Sequence, residues 1–368
     1  ILNILRVNTS ASGISAGIIL YAAQLLYLVF IAVILPKIVN ISRGLNNVMC
    51  MLLVLGFIFQ TRLSFATGIR HFVYVLCATI VFIAALIICR KVKILYKMTW
   101  VYCMLGLALL LVVFIFAQVS RGAKVSIDFG PISIQPFEFV KILFVMFVAA
   151  AFNKANTFKT VLITAVTGAV YVIILVLCSE LGTALMLAIV YVLMLFVATK
   201  KFVYLIISAG AFAAACVAAY ILFSHVRVRV DVWLNPWADI DNKGYQITQS
   251  LFAIGSGGWL GTGLYNGSPE YVPMISNDFI FSAVAEELGV IFSIFLILLC
   301  LCFMLMIYRI AIRVSRPFYK LLAFGLGSVY GFQVFLTIGG AVKFIPSTGI
   351  NLPFISRGGS SVLASMVI

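Results

Sequence analysis

Apolar residues in this chain run in long blocks separated by short polar breaks. Eleven runs stand out: Ile14–Leu35, Val48–Phe59, Phe72–Cys89, Met98–Val119, Phe139–Phe152, Val161–Cys178, Leu181–Ala198, Phe202–Phe223, Phe279–Tyr308, Leu321–Gly339, and one from Phe354 onward. A helix of about 20 apolar residues crosses the hydrocarbon core of a bilayer, so the pattern predicts an all-α, polytopic helical bundle. Val48–Phe59 and Phe139–Phe152 are short and need flanking polar residues to complete a crossing. The last run stops at Ile368, too early to span, and the chain begins without Met; both ends read as truncated. No signal-peptide pattern, soluble domain or internal repeat interrupts the series.

Composition gives the same class. Of 368 residues, 64% are hydrophobic and 10% charged, against about 45–50% and about 25% in an ordinary soluble domain. A soluble globule could not hide that much apolar surface, and disorder needs the opposite balance. An integral membrane protein is the reading. It excludes a cytosolic enzyme, a secreted disulfide scaffold and a nucleic-acid binder, despite a formal charge of +15. The eight cysteines lie in or beside apolar runs, where Cys behaves as a small hydrophobe. With His71 and His225 the only histidines, no zinc spacing assembles.

The positive charge is distributed by topology. If crossings alternate, the loops on the side of Lys320 hold fourteen basic residues and no acidic one. All ten acidic residues fall in the opposite loops or at the helix ends nearest them. The positive-inside rule then puts Lys320 inside and the acidic loops outside. The one long connection, Ser224–Asn277, is also outside, and long ordered connections are usually functional. Its Trp and Tyr residues suit the headgroup layer.

Ionisable residues at membrane depth are costly and default to functional candidates. In Gln135-Pro136-Phe137-Glu138-Phe139-Val140-Lys141, proline opens a helix and Glu138 and Lys141 share a face. The pair reads equally as a substrate contact or a self-neutralising structural bridge. Asp278, where the long loop meets an apolar helix, reads as a helix cap or as a general base. Glu286 and Glu287 lie two turns further on, and whichever faces the interior needs a basic partner. The cluster Gly255, Gly257, Gly258, Gly261 and Gly263 follows no predicted strand, so it is no dinucleotide fingerprint. Such glycines permit close approach to a ligand or to another helix. Arg227 and Arg229 precede them, as interface anchors or as phosphate contacts.

Taken in order, these segments resemble the SEDS (shape, elongation, division and sporulation) family, which includes RodA, FtsW and SpoVE. The carriers are the Gln135–Lys141 segment, Glu180-Leu181-Gly182-Thr183-Ala184, Gly244-Tyr245-Gln246, Gln249-Ser250 and Ala253–Gly258. They continue with Asn277-Asp278-Phe279 through Glu286-Glu287-Leu288-Gly289, Ile345–Gly349 and Leu352–Ser361. The resemblance runs from about Gln60 to the end. Departures are Glu180 for the usual Asp, Phe137 for Ser, Thr262 for Lys and Arg357 for Tyr; the Thr262 change removes a phosphate contact.

The resemblance implies a ten-helix bundle over residues 48–368, with an extra helix and basic inner loop in residues 1–47. It implies a peptidoglycan glycosyltransferase on the outer face of the bacterial cytoplasmic membrane. Such an enzyme polymerises lipid II beside a class B penicillin-binding protein, in elongation, division or sporulation. Asp278 carries over as the catalytic base, with Lys141, Glu138, Arg227, Arg229, Gln246, Gln249, Ser250 and Glu286 as substrate-binding candidates. The resemblance assigns no definite cofactor, and a divalent cation stays open without a ligand cluster behind it. Two rivals remain, a lipid II flippase and a non-catalytic scaffold for a transpeptidase. A flippase calls for polar groups through the whole bundle, whereas the intramembrane charges gather near one end.

Overall fold

The computed structural model describes the backbone of residues 11–39, 41–92, 94–120, 123–129 and 132–368. Residues 1–10 and Asn40 of the segment assigned to the extra helix lie outside the described residues. The apolar runs are helices. In chain order they are α1 (Ser15–Val39), α2 (Arg43–Leu63), α3 (Phe65–Lys91), α4 (Thr99–Phe116) and α5 (Phe137–Lys154). Next come α6 (Phe158–Leu177), α7 (Leu181–Thr199) and α8 (Phe202–Leu222). Nine helices among the described residues are long and apolar enough to cross a membrane. The α5 helix carries Glu138, Lys141 and Lys154 among its 18 residues.

The long connection is mostly ordered helix and turn. It carries α9 (Ser224–Leu234) and α10 (Tyr245–Gly257), and leads into α11 (Ile280–Arg313) and α12 (Pro317–Ala341). A strap over residues 342–358 then runs back into the bundle before α13 (Gly359–Val367). The last apolar run is therefore not helical from Phe354. Ile350, Leu352, Phe354 and Ile355 of the strap are buried in extended or turn conformation, and the helix waits for Gly359.

Between α4 and α5 the chain forms three short antiparallel strands, β1 (Gln118–Ser120), β2 (Ala123–Phe129) and β3 (Ile132–Ile134), in the order β1-β2-β3. The α4 helix thus ends at Phe116, short of the apolar run that reaches Val119. Lys124-Val125-Ser126-Ile127-Asp128-Phe129 alternates polar and apolar residues, the period of a strand rather than a helix.

Two apolar cores meet along α12. One gathers α1, α2, α3, α11 and the strap around Ile31, Leu52, Phe59, Val75, Ile280 and Phe354. The other gathers α4, α5, α6 and α7 around Leu110, Phe144, Tyr171 and Met186. Within α1, residues Phe30–Ile34 form a π turn, whose displaced carbonyl at Ile31 accepts a 2.8 Å hydrogen bond from Asn46 Nδ2. Tyr27 bonds Thr79 across to α3 at 2.6 Å, tying the first helix to the bundle.

The α11 helix is broken. Gly289 sits at φ 79°, ψ 177°, a conformation open to glycine and strained for other residues. Backbone groups freed inside a membrane helix must find partners, and the glycine cluster provides them. Thr262 and Gly263 N–H donate to Glu286 and Glu287 O, while Gly258 and Trp259 O accept from Val290 and Ile291 N–H. A Cβ on Gly257 or Gly261 would stand 2.1 or 2.2 Å from the carbonyl oxygen of Ala285 or Glu287. Of the two readings open for these glycines, close approach to a helix is the one the structure shows.

Candidate functional site

Where α9, α10, the start of α11 and the strap converge, a cleft of about 200 Å³ opens. Asp278 lines it, one residue outside the helix: Phe279, not Asp278, occupies the N-cap position of α11. Three cations line the same cleft, Arg229 from α9, Lys243 before α10 and Lys343 at the start of the strap. Gln246, Trp233 and Ser347 complete the polar wall. Arg229 Nη1 donates to Ser347 O at 2.8 Å, and Trp233 Nε1 to Lys343 O at 3.2 Å, so α9 and the strap are tied into one wall. Lys343 is held at φ 60°, a left-handed conformation that is strained for Lys and is seen mainly where the surroundings enforce it. One carboxylate against three cations makes this a natural anion site with a base at its edge.

Glu138 and Lys141 lie deeper. They form a 2.5 Å ion pair on the first turns of α5, and Lys141 Nζ also donates to Gln333 Oε1 on α12 at 3.0 Å. Gln333 in turn donates to Asn351 O and Ser361 Oγ. Lys141 is 1% exposed, so this ammonium serves protein partners first. Glu180, just before α7, links the two groups: burial pushes its carboxyl up to about 7, and Arg229 opposes that rise. The Glu138 carboxylate raises it further, while the Thr183 hydroxyl and Lys141 oppose. The strap packs against this corner through Gly182, where a Cβ would meet Thr348 and Ile350 at 2.8 Å.

Other candidates fall elsewhere. Glu286 accepts from Ser268 N–H at 2.8 Å and organises the glycine loop, away from the cleft. Glu287 is fully buried and has the basic partner it requires, Arg62 Nε at 2.8 Å. Ser250 is buried between helices, 2.7 Å from Ser282 Oγ and donating to Ala341 O at 2.8 Å. Those bonds commit the hydroxyl to protein partners, outside the cleft lining. Arg227 is exposed, donating to Ile221 O at 3.1 Å beside the Tyr220 ring, and belongs to the α8–α9 corner rather than the cleft. Gln249 is half-buried outside the cleft lining, whereas Gln246 lines it and donates to Pro273 O at 3.4 Å.

Lys243, Lys343, Gln333 and Arg62 were not singled out from sequence. Gln333, Arg62 and Lys343 meet their partners across large chain separations, up to 225 residues for Arg62 and Glu287. The two lysines read locally as loop charges. Among the described residues no three His, Cys, Asp or Glu side chains come together as a metal-binding group.

The family model for cell cycle proteins of the FtsW/RodA/SpoVE type matches residues 43–368. The peptidoglycan glycosyltransferase RodA of Mycobacterium tuberculosis is 38% identical over 265 residues, 68% of this chain and 56% of its own length. This chain therefore spans just over half of that relative. A protein of Geobacter metallireducens named "probable peptidoglycan glycosyltransferase FtsW" is 36% identical over 272 residues, 71% of this chain and 72% of its own. A solved structure described as "structural coordination of polymerization and crosslinking by a peptidoglycan synthase complex" shares the fold. Its TM-score is 0.74 at 24% identity, covering 89% of this chain and 94% of that one. With a family match running from the first residue of α2 to the end of α13, and a bundle that follows the same fold, the chain belongs to the FtsW/RodA/SpoVE family.

Proposed function

We propose that the protein is a peptidoglycan glycosyltransferase that polymerises lipid II, with Asp278 as its general base. The observation that carries this reading is the cleft, whose lining brings one carboxylate, Asp278, together with Arg229, Lys243 and Lys343. In the reaction, the 4-hydroxyl of an acceptor GlcNAc gives its proton to Asp278 as its oxygen bonds the anomeric carbon of the donor MurNAc. The bond from that carbon to the undecaprenyl pyrophosphate oxygen breaks, and the pyrophosphate leaves with the electron pair. A leaving group that is already a stable anion needs cations more than a proton, so a single base suffices. The three cleft cations meet this need. Lys141, bound to Gln333, and Glu138, paired with Lys141, are outside the cleft lining, so they serve it by tying α5 to α12 rather than by contact.

The buried charges also favour an enzyme over a flippase. Glu138, Lys141, Glu286, Glu287 and the nearly buried Arg62 all lie within a few turns of the helix ends nearest the cleft. On the positive-inside rule that end is the outer face of the bacterial cytoplasmic membrane. The partner is a class B penicillin-binding protein that cross-links the strands. Supporting this, the solved structure with the same fold is a peptidoglycan synthase complex in which polymerisation and crosslinking are coordinated. Residues 1–47 add a helix ahead of the 48–368 unit.

The test is polymerisation of labelled lipid II by the purified chain with its penicillin-binding partner. Asp278→Asn keeps size and hydrogen-bonding reach, yet should lower polymerisation by about two to four orders of magnitude. Activity within a few-fold of wild type would sink Asp278 as base.

A further inference from the structure

The peptide units that lead into Asp278 are pinned from two directions. Gln60, fully buried on α2, donates both N–H bonds of its amide: one to Ser276 O at 2.9 Å and one to Ile355 O at 3.0 Å. Both acceptors are carbonyls, which settles which end of the amide faces them. Arg357 N–H adds a 2.7 Å bond to the same Ser276 oxygen. One residue on, Ser356 Oγ donates to Asn277 O while accepting from Leu352 N–H at 2.8 Å. The carbonyls of both residues before Asp278 are thus tied to the strap, and that of Ser276 to α2 as well. On its other side Asp278 runs directly into α11.

This arrangement has a cost that packing does not explain. Gln60 Oε1 is buried without a hydrogen-bond partner among the described residues. An unsatisfied buried acceptor persists where the rest of the group makes bonds of greater consequence. An apolar side chain of the same length would fill the space without that penalty.

Resting on the reading of Asp278 as the base, we infer that Gln60, together with Ser356, is a positioning residue that fixes the direction of the Asp278 carboxylate. General-base transfer depends on alignment, and a displacement of about 1 Å costs on the order of 10²-fold in rate. The clamp holds the carboxylate against the wall of cations while substrate enters and product leaves.

The experiment is a double-mutant cycle on the full chain with its partner, read by lipid II polymerisation. Gln60→Met keeps length and removes both donors. It should lower kcat by about 10- to 100-fold and leave KM within about threefold, because substrate contacts are untouched. In an Asp278→Asn background, where there is no base to aim, Gln60→Met should cost nothing further. A general structural defect would instead impose the same loss in both backgrounds, and that result overturns the clamp. Wild-type activity in Gln60→Met overturns it too. Should Gln60→Met fail to fold, Ser356→Ala carries the same cycle, since it deletes one hydroxyl that is 1% exposed with its residue. Near-normal activity of Asp278→Asn alone would overturn the base reading, a result separate from the additivity test.

Discussion

Lys141→Met breaks a buried ion pair, and its cost can be worked from two contacts and a burial. The ammonium sits 2.5 Å from Glu138 Oε2 and 3.0 Å from Gln333 Oε1, on a residue 1% exposed. Methionine fills nearly the same volume, so no cavity term enters. What remains is a Glu138 carboxylate, 8% exposed, with no cation beside it, and a Gln333 oxygen with no donor. Removing one partner of a buried pair costs about 3–5 kcal/mol. The orphaned amide oxygen alone would cost about 1–3 kcal/mol, partly contained in the first figure because the two share one network. The assay is thermal unfolding in detergent beside lipid II polymerisation. Lys141→Met should unfold well below wild type, and adding Glu138→Gln should recover most of the stability by removing the stranded charge. Polymerisation should stay low in the double variant, since the tie from Lys141 to Gln333 on α12 would still be missing. If the double variant regains both stability and activity, the pair is a structural bridge and its place in the site is wrong.

Glu180 gives a pH prediction. Burial raises its carboxyl from 4.5 in the unfolded chain to about 7, so the folded state holds the proton more tightly and stability falls as pH rises across that window. Glu180→Gln should flatten the unfolding midpoint between about pH 4.5 and 7; an unchanged slope would remove Glu180 as its source. Gly261→Ala forces a Cβ to 2.2 Å from Glu287 O at φ +83° and should destabilise by at least about 1–3 kcal/mol in a detergent melt. For topology, in a background lacking the native cysteines, Lys243→Cys should react with an impermeant thiol reagent in intact cells and Lys320→Cys only after lysis. The reverse pattern would invert the orientation.

Much of the fold was legible because a membrane helix needs one property, sustained apolarity, which is local. Every run corresponds to a helix, with the ends of α2 and α5 completed by polar residues such as Arg43 and Lys154. The strands after α4 were missed because run length was weighed and the alternation through Lys124–Phe129 was not. The break at Gly289 was invisible to hydropathy, since the apolar run from Phe279 to Tyr308 absorbs Glu286, Glu287 and Gly289 without ending. At the site, Asp278, Arg229 and Gln246 were named and line the cleft, whereas Ser250 and Arg227 proved to bond backbone elsewhere. Gln60, Lys243 and Lys343 escaped because their meaning lies in partners far along the chain. A local reading sees only one half of each pair.

The break in α11 has a mechanical consequence. As one rod, 34 residues would measure roughly 51 Å at about 1.5 Å per residue, far longer than a hydrocarbon core of about 30 Å. Divided at Gly289, the helix becomes a lower shaft spanning the bilayer and an upper stub that starts beside Asp278. The stub is bolted to the glycine loop and, through Glu287, to α2. Bilayers thicken, thin and tilt the helices they contain. A continuous rod would pass each of those movements to the carboxylate at its tip. The break lets the shaft keep a length that fits the bilayer while the stub, registered to the glycine loop, begins beside the cleft.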